Sequence, residues 1–193
     1  MKTEEIIRFF DSLAPEWDSR MVIDEEIIEK ILKNADICKG NRVLDVACGT
    51  GVMIPFYLGK KVSSVTGIDI SPKMCEIAEK KFDTDQVRII CGNALTYDFD
   101  QHFDRIIVYN AFPHFDDPEL LIHRLSELLD QDGILSIAHG MNREKILKHH
   151  ENVKEVSKGL PEIDELKEMM EKELDVTVTV SDDRMYQAVG IRR

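Results

Sequence analysis

The stretch Val43-Leu44-Asp45-Val46-Ala47-Cys48-Gly49-Thr50-Gly51 limits the possible folds most sharply. Strand-forming residues run straight into a glycine-rich turn, and a second such run ends in an acid, Gly67-Ile68-Asp69-Ile70-Ser71. Glycines at 49 and 51 allow a tight turn and a close approach of backbone to a ligand, because no Cβ stands in the way. Asp69 is placed to accept hydrogen bonds from two sugar hydroxyls, charge-assisted contacts worth roughly 1.5–3 kcal/mol each. The combination predicts a nucleoside site at the carboxyl edge of a parallel sheet.

The rest of the chain reads as alternating strands and helices. Glu25 to Lys33 puts Ile27, Ile28, Ile31 and Leu32 on one helical face, and Gly40-Asn41 leads into a strand over 42–47. A short helix precedes a strand at 64–70. Ser71 suits an N-cap and Pro72 a first helical position for a helix through Phe82. Strands follow at 86–91 and 103–109. Pro118 opens a helix carrying Leu120, Leu121, Leu125, Leu128 and Leu129, and Asp132-Gly133 breaks it before a strand at 134–138. The end reads as an amphipathic helix over Glu162–Leu174 and strands at 175–181 and 184–192, joined at Asp182-Asp183. This order predicts a doubly wound, Rossmann-like α/β sheet in a single domain over 1–193. The segment from Gly140 to Leu160 exceeds a minimal crossover, so 140–160 is expected to form a lid over the substrate, with Asn142 capping its helix.

Composition narrows the partners. A net charge of −12 disfavours nucleic acid, since phosphate contacts require Lys or Arg. No apolar run reaches the roughly 18 residues of a membrane span, so no membrane association is expected. Met1-Lys2-Thr3-Glu4-Glu5 lacks a basic-then-apolar signal, so the expected location is cytoplasmic. Cys38, Cys48, Cys75 and Cys91 form no C-x-x-C pair and read as reduced core or turn residues.

The G-x-G at 49–51 is not a dinucleotide fingerprint, because Ile54 stands where a third glycine would be required. Together, D-x-x-C-G-T-G and G-I-D-I-S resemble motifs I and II of the class I S-adenosylmethionine (SAM) methyltransferases. The likeness is strongest to the small-molecule subgroup that includes the ubiquinone/menaquinone-type C-methyltransferases, and it is good over roughly residues 5–140. It implies seven strands, mostly parallel, with the last inserted antiparallel. It also implies SAM as cofactor, held by Trp17, Asp45, Ala47, Gly49, Gly51, Asp69, Ile70, Asn93, Ala94 and Asn110. Asn93 departs from the acid usual at its position, and its amide oxygen can still accept from the adenine amino group. The segment Phe9-Phe10-Asp11-Ser12-Leu13-Ala14-Pro15-Glu16-Trp17-Asp18 resembles the part of such proteins that closes over SAM. An aromatic face there attracts the sulfonium by roughly 0.5–2 kcal/mol.

The histidines leave alternatives open. His114 and His139 follow the fourth and fifth strands and are candidate catalytic bases for a small-molecule acceptor. His139, His149 and His150 are candidate ligands for Zn²⁺ or another divalent metal, which could deprotonate a thiol acceptor. Their spacing is not H-x-x-x-H, and a helix from 142 to 149 carries the chain roughly 10 Å away. The sequence thus leaves three readings: a methyltransferase, a non-catalytic SAM-binding protein, and a metal-binding or metal-assisted thiol-methylating protein.

Overall fold

The structure, a computed structural model, describes residues 3–150 and 157–193, and for His149 and His150 the backbone alone. Three short helical pieces come first: α1 (Thr3–Leu13), a 3₁₀ turn (Ala14–Glu16) and α2 (Trp17–Arg20). They are followed by α3 (Glu25–Asn34), β1 (Arg42–Val46), α4 (Ile54–Gly59), β2 (Ser64–Asp69) and α5 (Pro72–Lys81). Next come β3 (Val87–Cys91), β4 (Phe103–Tyr109), a 3₁₀ turn (Phe112–His114), α6 (Pro118–Glu127) and β5 (Leu129–His139). The chain continues with α7 (Arg143–His150), α8 (Ile163–Glu171), β6 (Leu174–Ser181) and β7 (Tyr186–Arg192).

The strands form one seven-stranded sheet in the order β3-β2-β1-β4-β5-β7-β6. β1 to β5 are parallel, and β7 lies antiparallel between β5 and β6. The chain reverses direction at β1, moving outward to β3 and then back past β1 to β4. Such a switch point opens a crevice at the carboxyl ends of the strands.

Alternating side chains cover both faces of the sheet. Leu44, Val46, Ile106 and Val108 pack with Leu121, Leu125, Leu166 and Met170 of α6 and α8. Val43, Val65 and Ile107 pack with Ile28, Leu32, Ile54 and Tyr57 of α3 and α4. Helix starts are set by side-chain caps: Asp24 accepts from Ile27 N–H (3.2 Å), Ser71 from Met74 N–H (3.2 Å) and Asp117 from Leu120 N–H (2.9 Å). Each satisfies one of the orphan donors of a first turn.

The expected end of α6 and start of β5 both change. Helix α6 ends at Glu127, and Leu129 already belongs to β5, which starts well before residue 134. Phe103 N–H reaches Leu128 O at 2.9 Å, and Phe103 pairs with Leu129 across a register shift. Asp132, at φ 61°, is therefore absorbed as an irregularity inside the strand rather than ending it. Leu120, one of the leucines read on α6, is 49% exposed. In the 140–160 segment, Asn142 does cap α7, accepting from Lys145 N–H at 2.9 Å. Its Ile146 and Leu160, however, are buried in the core of the α6/α8 face. Arg143 ties that segment down by donating to the carbonyls of Leu160 and Pro161.

Candidate nucleoside and methyl-transfer site

A cavity of about 210 Å³ opens at the carboxyl ends of β1, β2 and β4. Its floor is the glycine turn after β1, and its walls are mainly apolar. Ala47, Gly49, Asp69, Ile70, Asn93, Ala94 and Asn110 all line it, as do Trp17 and His114. The structure thus brings together most of the residues singled out from the sequence.

Asp69 ends β2 and is 8% exposed. One carboxylate oxygen accepts from Gly49 N–H and the other from Ser71 N–H, both at 2.8 Å. Burial raises its pKa, while the amides of Ser71, Gly49 and Ile70 favour the charged form. A carboxylate offers about four acceptor positions, so two taken by amides leave capacity for hydroxyl donors. Asp69 therefore shapes the glycine turn as well as facing the cavity.

The two glycines have different reasons to be glycine. At Gly49 (φ 55°) a Cβ would stand 3.8 Å from Trp17 Nε1, on the cavity side. At Gly51 (φ 84°) it would collide with Phe82 Cε2 at 2.5 Å. Gly51 does not line the cavity; its positive φ and the crowding by Phe82 and Ile54 both favour glycine there. Ala47 (φ 55°) and Asn110 (φ 54°) hold left-handed backbone at the ends of β1 and β4 without being glycine. Asn110 Oδ1 accepts from Gly140 N–H at 3.0 Å, and Asn93 Oδ1 accepts from Leu95 N–H at 3.0 Å, closing an Asx turn.

Asp45 lies behind the turn, 2% exposed and outside the cavity lining. Its Oδ2 and the buried hydroxyl of Tyr57 have no hydrogen-bond partner of ordinary geometry. Burial pushes Asp45 up to about 8. The nearby Tyr57 hydroxyl opposes the shift and the charge of Asp69 adds to it. The sequence reading missed Tyr57; an aromatic in the helix after the turn was its only visible signal.

The roof is the amino-terminal flap, α1 to α2, which contributes Ile6, Phe10, Trp17 and Met21. Phe10 stacks edge-on against both Trp17 (centroids 5.9 Å) and His114 (5.0 Å). Two acids clasp the flap to the body. Asp11 accepts from Ser71 Oγ (2.6 Å) and Lys73 N–H (3.1 Å), and Asp18 accepts from Thr50 Oγ1 (2.6 Å) and pairs with Lys81. None of the described residues of 140–160 lines the cavity, although Lys158 reaches its rim by pairing with Asp116. Residues 151–156 of that expected lid lie outside the described residues.

His139 is not brought to the cavity. It is 2% exposed, at the end of β5 opposite Tyr186, with ring centroids 6.2 Å apart. The inserted antiparallel β7 pairs with β5 up to that strand end. The side chains of His149 and His150 lie outside the described residues. Among the described residues, no cluster of three or more His, Cys, Asp or Glu could hold a metal ion. No helix among them is long and apolar enough to cross a membrane.

A glycine turn after the first strand, an acid ending the second and a crevice at the switch point define a Rossmann-like nucleoside-binding domain. Residues 43–133 match the methyltransferase domain family. The chain is 28% identical over 128 residues to (S)-coclaurine N-methyltransferase of Thalictrum flavum subsp. glaucum, covering 63% of this chain and 36% of the relative. It is 27% identical over 132 residues to malonyl-[acyl-carrier protein] O-methyltransferase of Acetivibrio thermocellus, covering 67% and 47%. In fold it is similar to N-methyltransferase NodS from Bradyrhizobium japonicum WM9 in complex with S-adenosyl-L-homocysteine. That likeness has a TM-score of 0.75 at 14% identity and covers 98% and 97% of the two chains. The domain match over 43–133, the methyltransferase relatives and the shared fold together support a class I SAM-dependent methyltransferase. It spans less than half the length of these two sequence relatives.

Proposed function

We propose that the protein transfers a methyl group from SAM to a neutral or basic small molecule. The observation that carries this reading is the cavity itself. Asp69, Gly49, Trp17, Asn93, Asn110 and His114 come from five separate segments and converge on it, and among the described residues its lining includes two carboxylates but no Lys or Arg. An anionic acceptor would meet the Asp69 carboxylate, while at the rim Lys158 is already paired with Asp116.

The chain's residues fit the cofactor. Asp69 keeps acceptor capacity for two ribose hydroxyls beyond its two amide bonds. Gly49 leaves its side of the floor open, and Ile70 and Leu95 offer apolar surface for an adenine ring. Bound there, SAM would supply a methyl group already activated by sulfonium charge. The protein's task is then to align the acceptor and exclude water, and such orientation can supply up to ~7–11 kcal/mol. The flap excludes water through Phe10 and Trp17 and stays shut through Asp11 and Asp18. His114 faces the cavity from the loop after β4, where its imidazole can accept an acceptor's proton.

Titration calorimetry with SAM, for the wild type and Asp69→Ala, tests the cofactor site. Methyl-labelled SAM incubated with fractionated small-molecule extracts tests the transfer. Absence of SAM binding, or an Asp69→Ala affinity equal to wild type, overturns the reading. Label in an amine or neutral fraction supports it, and label confined to anionic acceptors overturns the acceptor class.

A further inference from the structure

The carbonyl of Asp69 accepts two donors, Gly92 N–H at 2.8 Å and the Cys75 thiol at 3.3 Å. Asp69 is also the strand partner of Cys91 in the β2–β3 ladder. Cys75 Sγ stands 3.7 Å from the carbonyl of Ile90, the residue bonded to Cys91. The buried thiol on α5 is therefore wedged against the end of β3 where the exposed Cys91 sits. We propose that Cys75 and Cys91 form a dithiol that closes reversibly into a disulfide when a hydroperoxide oxidises Cys91. The proposal is independent of methyl transfer.

The chemistry balances in two steps. The ionised Cys91 sulfur attacks one peroxide oxygen and the O–O bond breaks. The other oxygen leaves as water or an alcohol, carrying the proton that Cys91 gave up, and Cys91 is left as a sulfenic acid. Cys75 sulfur then attacks Cys91 sulfur and the S–O bond breaks. The departing hydroxide takes the Cys75 proton and leaves as water. Two electrons have passed from the pair of sulfurs to the peroxide.

The two thiols suit these roles. Cys91 is solvent-accessible and meets the oxidant first, whereas Cys75 is 2% exposed and cannot. Burial raises the Cys75 pKa, reinforced by the Asp69 charge and by Cys91 itself. The resting Cys75 is thus a thiol donating to the Asp69 carbonyl, and it must give up its proton as it attacks. A sulfenic acid with a second sulfur beside it condenses in preference to further oxidation. The bridge would join α5, capped beside Asp69, to the strand that leads into Gly92 and Asn93 of the cavity.

The test treats the reduced full chain with hydrogen peroxide, unfolds it in acid and counts alkylatable thiols by intact mass, followed by peptide mapping. Cys38→Ser serves as background, because Cys38 is the other exposed thiol. The expected result is the paired loss of two of the three remaining thiols, a linked peptide containing Cys75 and Cys91, and full recovery with dithiothreitol. Cys91→Ser in that background should keep its thiols under the same treatment. Over-oxidised Cys91 with no linked peptide, or a bridge found only between two chains, overturns the proposal.

Discussion

The two ends of β1 treat carboxylates in opposite ways. At its start, Arg42 donates to Asp104 from its backbone N–H (2.7 Å) and its guanidinium (2.9 and 3.2 Å), and it also pairs with Asp130. Burial pushes Asp104 up, but the hydrogen bonds and charge of Arg42, aided by Arg105, outweigh it and leave it lowered. Three residues along the same strand, burial pushes Asp45 up to about 8, with no cation among the described residues offsetting it. One end of the sheet satisfies its charges internally. The other keeps a buried carboxylate with no ion-pair partner among the described residues, and strongly shifted groups of this kind cluster at functional sites.

Four experiments can break or sharpen this contrast. Asp69→Ala, at the cavity end, should weaken SAM binding by about 100-fold or more, since two charge-assisted bonds are lost, and calorimetry reads it directly. Asp45→Asn tests the charge that has no cation. A carboxylate whose folded pKa lies above its unfolded value contributes stability at low pH, and that contribution is lost as pH rises from about 4 through about 8. The cofactor-free wild type should therefore lose on the order of 3–5 kcal/mol over that span through this group, and the Asn variant should lack that slope in denaturant titrations. An identical slope in both proteins breaks the contrast.

Trp17→Ala removes the aromatic roof and should weaken SAM binding by roughly 3- to 30-fold, the size of a cation–π contact. An equal loss for the uncharged product, S-adenosylhomocysteine, would assign the effect to packing instead of charge. Arg42→Ala is the control at the opposite end. Its pairs are partly exposed and screened, so the expected cost is only about 1 kcal/mol of stability, with SAM affinity unchanged.

The sequence made the cavity's floor readable because its requirements are local. A turn that needs φ > 0, an acid ending a strand and a serine cap before Pro72 all leave marks within a few residues of where they act. Long-range packing left weaker marks. At Gly51 the positive φ of the turn is a local reason for glycine, but the crowding by Phe82 is a second reason invisible from the turn itself. His139 ends a strand as expected, but it is buried, with its ring against Tyr186 of β7, a strand from the far end of the chain. The helix-to-strand change near Leu128 was misplaced because Asp132-Gly133, an ordinary breaker, is tolerated once β4 pairs across it. Tyr57 escaped notice because periodicity predicts that a side chain is buried, but not which polar group it meets.

The flap also sets an order of events during synthesis. Asp11 and Asp18 leave the ribosome before Thr50, Ser71, Lys73 and Lys81, the groups that hold them. The roof of the chamber must therefore wait, undocked, until α5 has emerged and folded beneath it. Chains stalled before that point should carry Phe10 and Trp17 unsheltered, within reach of a chaperone or protease.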